Sequence, residues 1–491
     1  PILTVAAISD WNLYAPQMEY NLCRFDVVLS DLAATRQLKL HGIQPQYLFP
    51  QYSHRTHIHR LIDAEQPRNI DVLFLGNLNH AIHRGRGEVL EHLAKHSEGL
   101  RVVIDAGLPP DLYARRLNEA KIALNFGVRG EMNLRAFEAP ACGALLFMED
   151  ENLETFDWLE PGTHCITFTR DNLMERVRYF VEHDEERERI AMAGHRRVLD
   201  LAAEKRLDML FNWMARTPRG VRAFRGLDVR QKALADAMFY GASMDAGQRA
   251  YSKQRLAELR AQYPNDGEVL LACGCSAYDH ASALGNGLAQ REERRELIRE
   301  AIEAFDAAQR ALPDEAVPLL NMAVLARQAK AAAEESYLRR ATEASQAHLG
   351  GYLLGKVIDP YYAEWRLQLG LGHAQAAHLH AMADSRLAEI ALERKDYEGA
   401  LQYALEAQSL APHMGGNHTL AGRAAMALGE LETAEKLLKE GLPLTSFDAT
   451  HRQALIELLR KQGKGEEARD LATESARIFA CCPPMAPYVP M

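Results

Sequence analysis

The chain has 491 residues, 47% of them hydrophobic and 25% charged. These proportions fit an ordinary globular protein and exclude a mainly disordered or collagen-like chain. The formal charge of −10 argues against a general nucleic-acid binder, which needs a basic surface to neutralise phosphates.

The first 66 residues predict only two strands, within Ile2–Ile8 and Asp26–Ser30, followed by Gly42 and Pro50. They read as the closing portion of an α/β domain, either reduced or lacking earlier residues. No basic segment followed by an apolar run marks a signal peptide. His54, His57, His59, His80 and His83 cluster in sequence. A metal site needs convergent ligands and a defined second layer of partners. The sequence shows neither, so the reading is polar surface histidines and no metal.

Short apolar runs continue at Asp71–Leu75, Arg101–Ile104, Lys121–Phe126, Ala144–Met148 and Cys165–Phe168. Helical patterns at Gly87–His96, Pro110–Ala120 and Asn172–Glu182 alternate with them. This alternation predicts a parallel α/β sheet. Loops at the carboxyl ends of such strands bind ligands. Gly76 opens one such loop, and its Arg84 is a phosphate candidate, a solvated arginine being the bland reading.

The stretch Lys121–Met148 carries the most chemistry. A strand ends in a Gly-containing loop at 127–130, then a short helix leads to Cys142-Gly143 and another strand. A loop entering a helix offers backbone N–H groups at a positive dipole end, which suits a diphosphate. Gly130 lies in that loop. Arg129 and Arg135 would add positive charge toward phosphate. Glu138 could accept two hydrogen bonds from a vicinal diol such as ribose; the bland reading is a buried structural carboxylate. Pro140 removes a backbone donor and shortens or kinks the helix.

From about Lys232 strands vanish and Ala, Leu, Glu, Arg and Gln dominate at helical spacing. The longest apolar stretches, such as Val317–Ala326, reach half of the ~20 residues of a transmembrane helix. Ala400, Ala434 and Ala468 lie 34 residues apart, as do Gly429 and Gly463. An earlier copy reads Ala301, Phe305, Ala308, Pro313. Small residues at this spacing let antiparallel helices approach closely. A 34-residue helix–turn–helix period is the tetratricopeptide signature. The chain resembles tetratricopeptide repeat proteins over about 246–478. Paired helices with that period are expected over 381–478, and the period slips between 330 and 380. There Tyr352, Tyr361, Tyr362 and Trp365 cluster as repeat core or groove lining. The seven cysteines are odd in number and form no Cys-x-x-Cys. Reduced thiols in a cytoplasmic protein follow.

A second resemblance attaches to Arg135-Ala136-Phe137-Glu138-Ala139-Pro140-Ala141-Cys142-Gly143-Ala144-Leu145-Leu146. This run is similar to the donor-site segment of group 1 glycosyltransferases of the GT-B fold. Asp71–Asn77, Ala120–Asn125 and Glu186–Gly194 fit the same family in the right order. The resemblance implies sugar transfer from a nucleotide-sugar, usually with retention and with no required metal or other cofactor. It places Glu138 on the donor ribose, and Arg135 and the 127–131 loop near the donor phosphates or sugar. Relatives carry two glutamates eight positions apart; here Glu131 stands seven before Glu138, and it is the catalytic candidate. The resulting plan is α/β followed by an all-α solenoid. It has an acceptor-side Rossmann-like segment at 1–66, a donor domain at 67–216, a linker at 217–245, repeats at 246–478 and a Pro-rich tail at 479–491. The repeat groove suits a glycan or protein acceptor or a protein partner. The alternative is a non-enzymatic scaffold with a degenerate nucleotide-sugar domain. An epimerase on the same fold has no specific support, and no hydrolase motif occurs.

Overall fold

The computed structural model describes residues 3–8, 22, 25–40, 46, 52–62, 67–78, 83–127, 130–217, 228–241, 245–284, 287–344, 357–358 and 375–482. The chain divides into two compact units. One comprises 1–12, 24–224 and 445–491, the other 13–23 and 225–444.

The first unit is α/β. Strands β1 (Val5–Ile8) and β2 (Val27–Ser30) pair in parallel, and α1 (Leu32–Leu40) follows. The larger sheet holds β3 (Ile70–Leu75), β4 (Val102–Asp105), β5 (Ala120–Leu124), β6 (Leu145–Glu149) and β7 (Ile166–Phe168). Its order is β4-β3-β5-β6-β7, parallel throughout. Parallel strands need crossovers, and these are α2 (Arg84–Lys95), α3 (Pro110–Glu119), α4 (Arg135–Ala141) and α5 (Thr155–Trp158). Helices α6 (Leu173–Glu182), α7 (Asp184–Leu199) and α8 (Ala203–Arg216) complete this stretch.

Both sheet faces are covered, which explains the near-continuous apolar strands. Val72, Phe74, Ile122, Leu145 and Phe147 face a core with Val89, Leu90, Leu93 and Val177. Their alternates Leu73, Leu75, Ala123, Leu146 and Met148 face Ala114, Leu117, Phe137 and Val198. The α/β class expected from the sequence is therefore present, with strands where the apolar runs fall.

Helices α19 (Ala449–Lys461) and α20 (Gly465–Ala480) belong to this unit. Ile478 packs into the same sheet-face core, and Ile104 N–H donates to the Cys481 carbonyl at 2.8 Å. This bond occupies one backbone donor on the otherwise open edge of β4.

The second unit is all-helical in its described residues. It contains α9 (Val229–Gly241), α10 (Ala246–Gln262), α11 (Gly267–Ala283), α12 (Leu288–Ala311), α13 (Ala316–Gln328) and α14 (Glu334–Glu343). It continues with α15 (Gln375–Glu393), α16 (Tyr397–Leu410), α17 (Gly415–Leu428) and α18 (Leu431–Gly441). The stretch 217–245 thus includes a helix, α9. Asp245, Asp266 and Asp396 cap their helices by accepting N–H bonds from Gln248, Val269 and Gly399. Ala301, Phe305 and Ala308 are fully buried between helices, as their spacing predicts. Gly274 lets α11 meet the Phe305 ring; a Cβ there would sit 2.5 Å from it.

The repeat period is visible in the helix starts. Tyr397, Leu431 and Gly465 begin second helices 34 residues apart. Gly429 and Gly463 adopt left-handed backbone at φ +83° and +76° between paired helices. Residues with a Cβ rarely take that conformation. Tyr352, Tyr361, Tyr362 and Trp365 lie outside the described residues. No helix among the described residues is long and apolar enough to cross a membrane.

Candidate functional site

The polar residues of interest collect where β3, β5 and β6 end. Helix α4 is only seven residues long, with Pro140 inside it. Its first N–H groups are already used: Arg135 N donates to Asn133 Oδ1 at 3.1 Å, and Phe137 N to the Leu134 carbonyl at 3.0 Å. The Gly127 N–H donates to Glu149 Oε1 at 2.8 Å. The expected row of open N–H groups at this loop and helix start is therefore partly closed by the protein's own acceptors.

Arg135 is buried and bridges two strand ends. Its guanidinium donates to Asn125 Oδ1 at 3.1 Å and to the Leu75 carbonyl, and it lies 4.2 Å from the centre of the Phe74 ring. Gly76 makes room for it, because a Cβ there would fall 2.2 Å from Arg135 Nη2. The Nε of Arg135 makes no hydrogen bond among the described residues.

Glu138 points to a different set of partners. The Tyr113 side chain, from the first turn of α3, lies beside its carboxylate and favours its charged form. His59 Nε2 lies 3.4 Å from Glu138 Oε1. Burial drives the His59 pKa down to about 4, so the ring is neutral near pH 7. His59 Nδ1 accepts from Arg55 N–H at 3.3 Å. This bond assigns the remaining ring proton to Nε2, facing Glu138. Burial raises the Glu138 pKa, against the lowering effect of Tyr113 and Arg135.

Glu131 is buried. Its carbonyl accepts from Asn152 Nδ2 at 2.9 Å, and its charge acts on Arg86. Gly130 has φ +79°, and its carbonyl accepts from Leu153 N–H at 2.8 Å. Arg84 is exposed on the first turn of α2 and pairs with Glu88 at 3.1 Å. Arg129 lies outside the described residues.

Several important residues were not singled out by sequence. Arg86, rather than Arg84, is buried beneath the site and donates to the Phe126 carbonyl at 2.7 Å and the Asn77 carbonyl at 3.0 Å. Burial, reinforced by Arg135, lowers its pKa to about 9. The signal was present: Arg86 shares helical spacing with Val89, Leu90 and Leu93, the buried face of α2. Glu149 is buried at the end of β6 and takes the Gly127 N–H and Asn152 Nδ2, the latter at 3.0 Å. Burial raises its pKa.

The surface reading of the histidines needs correction. His54 and His59 are buried, for they sit in the segment packed beside α3 and α8. His57 is exposed and His83 half-buried, while His80 lies outside the described residues.

Residues 56–211 match a family model described as glycosyl transferase-like. No curated protein matches the chain. Among solved structures, TarM is 10% identical, with 41% of this chain and 45% of that chain covered and a TM-score of 0.31. The pneumococcal O-GlcNAc transferase GtfA, in complex with UDP and GlcNAc, is 14% identical over 42% of this chain and 47% of that chain, with a TM-score of 0.27. MamA from Desulfovibrio magneticus RS-1 is 18% identical over 39% of this chain and 92% of that chain, again with a TM-score of 0.27. Within the α/β unit, residues 56–211 form a glycosyl transferase-like domain.

Proposed function

We propose that the chain transfers a sugar from a nucleotide-sugar to a glycan or protein acceptor. One observation carries this reading: the buried Arg135 and Glu138 and the partly buried Tyr113 converge at the carboxyl ends of parallel strands within the glycosyl transferase-like segment. That is the ligand-binding end of an α/β sheet. Glu138 takes the donor ribose, exchanging its Tyr113 and His59 contacts for the diol. The first turn of α2, whose N–H groups lack acceptors inside the helix, takes the diphosphate. Arg84, Gly76 and Gly130 belong to the loops that flank it, with Arg129 as a further candidate cation from the sequence, and Arg135 holds β3 and β5 in place beneath. Glu131 stands on the sugar side as the catalytic carboxylate. Departure of the nucleoside diphosphate is stabilised by fixed N–H groups and cations, which are in place before charge develops. The transfer retains configuration and requires no metal. The helical repeats hold the acceptor or a protein partner, as solenoid surfaces do.

A scaffold reading is favoured by a different observation. The Gly127 N–H donates to Glu149 and the Arg135 guanidinium to Asn125 and the Leu75 carbonyl, so these donors are engaged by the protein itself and are less open to a phosphate.

The Glu138→Ala variant separates the two. It should bind a ribonucleoside diphosphate roughly ten- to a hundredfold more weakly by calorimetry, since hydrogen bonds to a charged acceptor contribute about 1.5–3 kcal/mol each. A 2′-deoxy analogue should already bind wild type poorly and lose little more in the variant. Unchanged ribonucleotide affinity in a folded Glu138→Ala protein removes the ribose role.

A further inference from the structure

The helical unit carries a cluster of metal-ligand chemistry that sugar transfer does not use. His380 and Asp384 sit one turn apart on α15, and Glu406 comes from the neighbouring helix α16. Residues at i and i+4 share a helix face. One ligand atom from each of the three lies within 4.8 Å of the others.

Asp384 is the unusual member. It is only 3% exposed. Its Oδ2 receives no hydrogen bond of normal geometry among the described residues, although His380 Nε2 stands 3.2 Å away. No lysine or arginine among the described residues forms an ion pair with it. Its described charged neighbour is Glu406, a like charge. A buried carboxylate facing another carboxylate is costly unless a cation or proton joins them. Donors about 2.1 Å from a tetrahedral ion stand roughly 3.4 Å apart, and the His380–Asp384 pair is already close to that separation. The exposed Glu406 leaves the site open to solvent on one side, from which water can supply a fourth ligand.

We propose that His380, Asp384 and Glu406 bind a divalent transition-metal ion that clamps α15 to α16. One imidazole and two carboxylates form a nitrogen–oxygen donor set suited to such ions. Metal sites in helical bundles are built this way, from side chains on facing helices.

The test uses Co²⁺ as a visible probe on the full chain, freed of metal by chelator, with Asp384→Asn and His380→Ala as variants. Asp384→Asn keeps the shape of the buried side chain, and His380→Ala changes a half-exposed one. Wild type should take up one more Co²⁺ per chain than either variant, with a d–d absorption band that Zn²⁺ abolishes. Changes in the surroundings of metal ligands cost about 10–100-fold in affinity, so loss of a ligand should cost at least that much. Circular dichroism should show unchanged helix content, and should Asp384→Asn misfold, His380→Ala decides. Equal Co²⁺ uptake by wild type and folded variants, or no uptake by wild type, overturns the assignment.

Discussion

Arg452→Ala should destabilise the α/β unit by about 3 kcal/mol, at the lower end of the roughly 3–5 kcal/mol seen when one partner of a buried ion pair is removed. Arg452 is 1% exposed and donates to Glu91 and to Ser475 Oγ, the latter at 3.3 Å. Glu474 Oε1 lies 3.1 Å from it, and Lys95 reaches both Glu91 at 3.0 Å and Glu474 at 3.2 Å. This network joins α2 to α19 and α20. Burial opposes ionisation of Glu91, yet the nearby Ser446 side chain and the charges of Arg452 and Lys95 hold its pKa below the usual carboxylate value. Without Arg452, Glu91 keeps its Lys95 partner, which is why the smaller figure applies. For a unit of this size, 3 kcal/mol corresponds to a fall in Tm of roughly 6–12 °C. Urea unfolding followed by Trp158 and Trp213 fluorescence measures it. A change under about 1 kcal/mol, the range of an exposed pair, would mean that the network does not hold the C-terminal helices.

Acid should weaken the same unit between pH 6.5 and about 4, through histidines buried in neutral form. Burial lowers His54 and His59 to about 4 and His83 to about 3, from an ordinary 6.5. The folded state therefore binds fewer protons than the unfolded chain in that window. The stability they contribute is complete above pH 6.5 and is lost as pH falls toward the folded values. A shift of 2.5 units is worth roughly 3 kcal/mol per histidine. Glu138 and Glu149 act in the opposite sense. Their raised pKa values add stability as pH falls, so the net loss is smaller than the histidine sum. His54 gives the clearest test, because neither ring nitrogen has a hydrogen-bond partner among the described residues. In His54→Leu, the slope of unfolding free energy against pH across this window should be shallower by about 1.4 kcal/mol per pH unit, one proton's worth. Superimposable slopes would show that His54 takes up its proton as readily in the folded protein as in the unfolded chain.

The fold was legible where the physics is local. Apolar runs such as Asp71–Leu75 announced strands, and alanines spaced like Ala400 and Ala434 announced helices packed closely in pairs. Glu138 stood out because its run of twelve residues is similar to a known donor segment. The site's other half was illegible because its partners come from elsewhere in the chain. Tyr113 and His59 reach Glu138 from separate segments, and no periodicity links them. Arg452 and Glu91 are 361 residues apart, and only the folding of α19 and α20 onto α2 brings them together. Arg84 and Arg86 show a nearer miss. Both sit at the same loop end, but helical phase puts Arg86 on the buried face and Arg84 in solvent.

Binding of nucleoside diphosphates to the unmodified chain tests the central claim most directly. Calorimetric titration with diphosphates of each common base should find one that binds saturably, one per chain, at millimolar concentration or below. The matching monophosphate should bind more weakly, because the first turn of α2 loses part of its anionic partner. No binding by any diphosphate at millimolar concentration would contradict sugar transfer and leave the scaffold reading in its place.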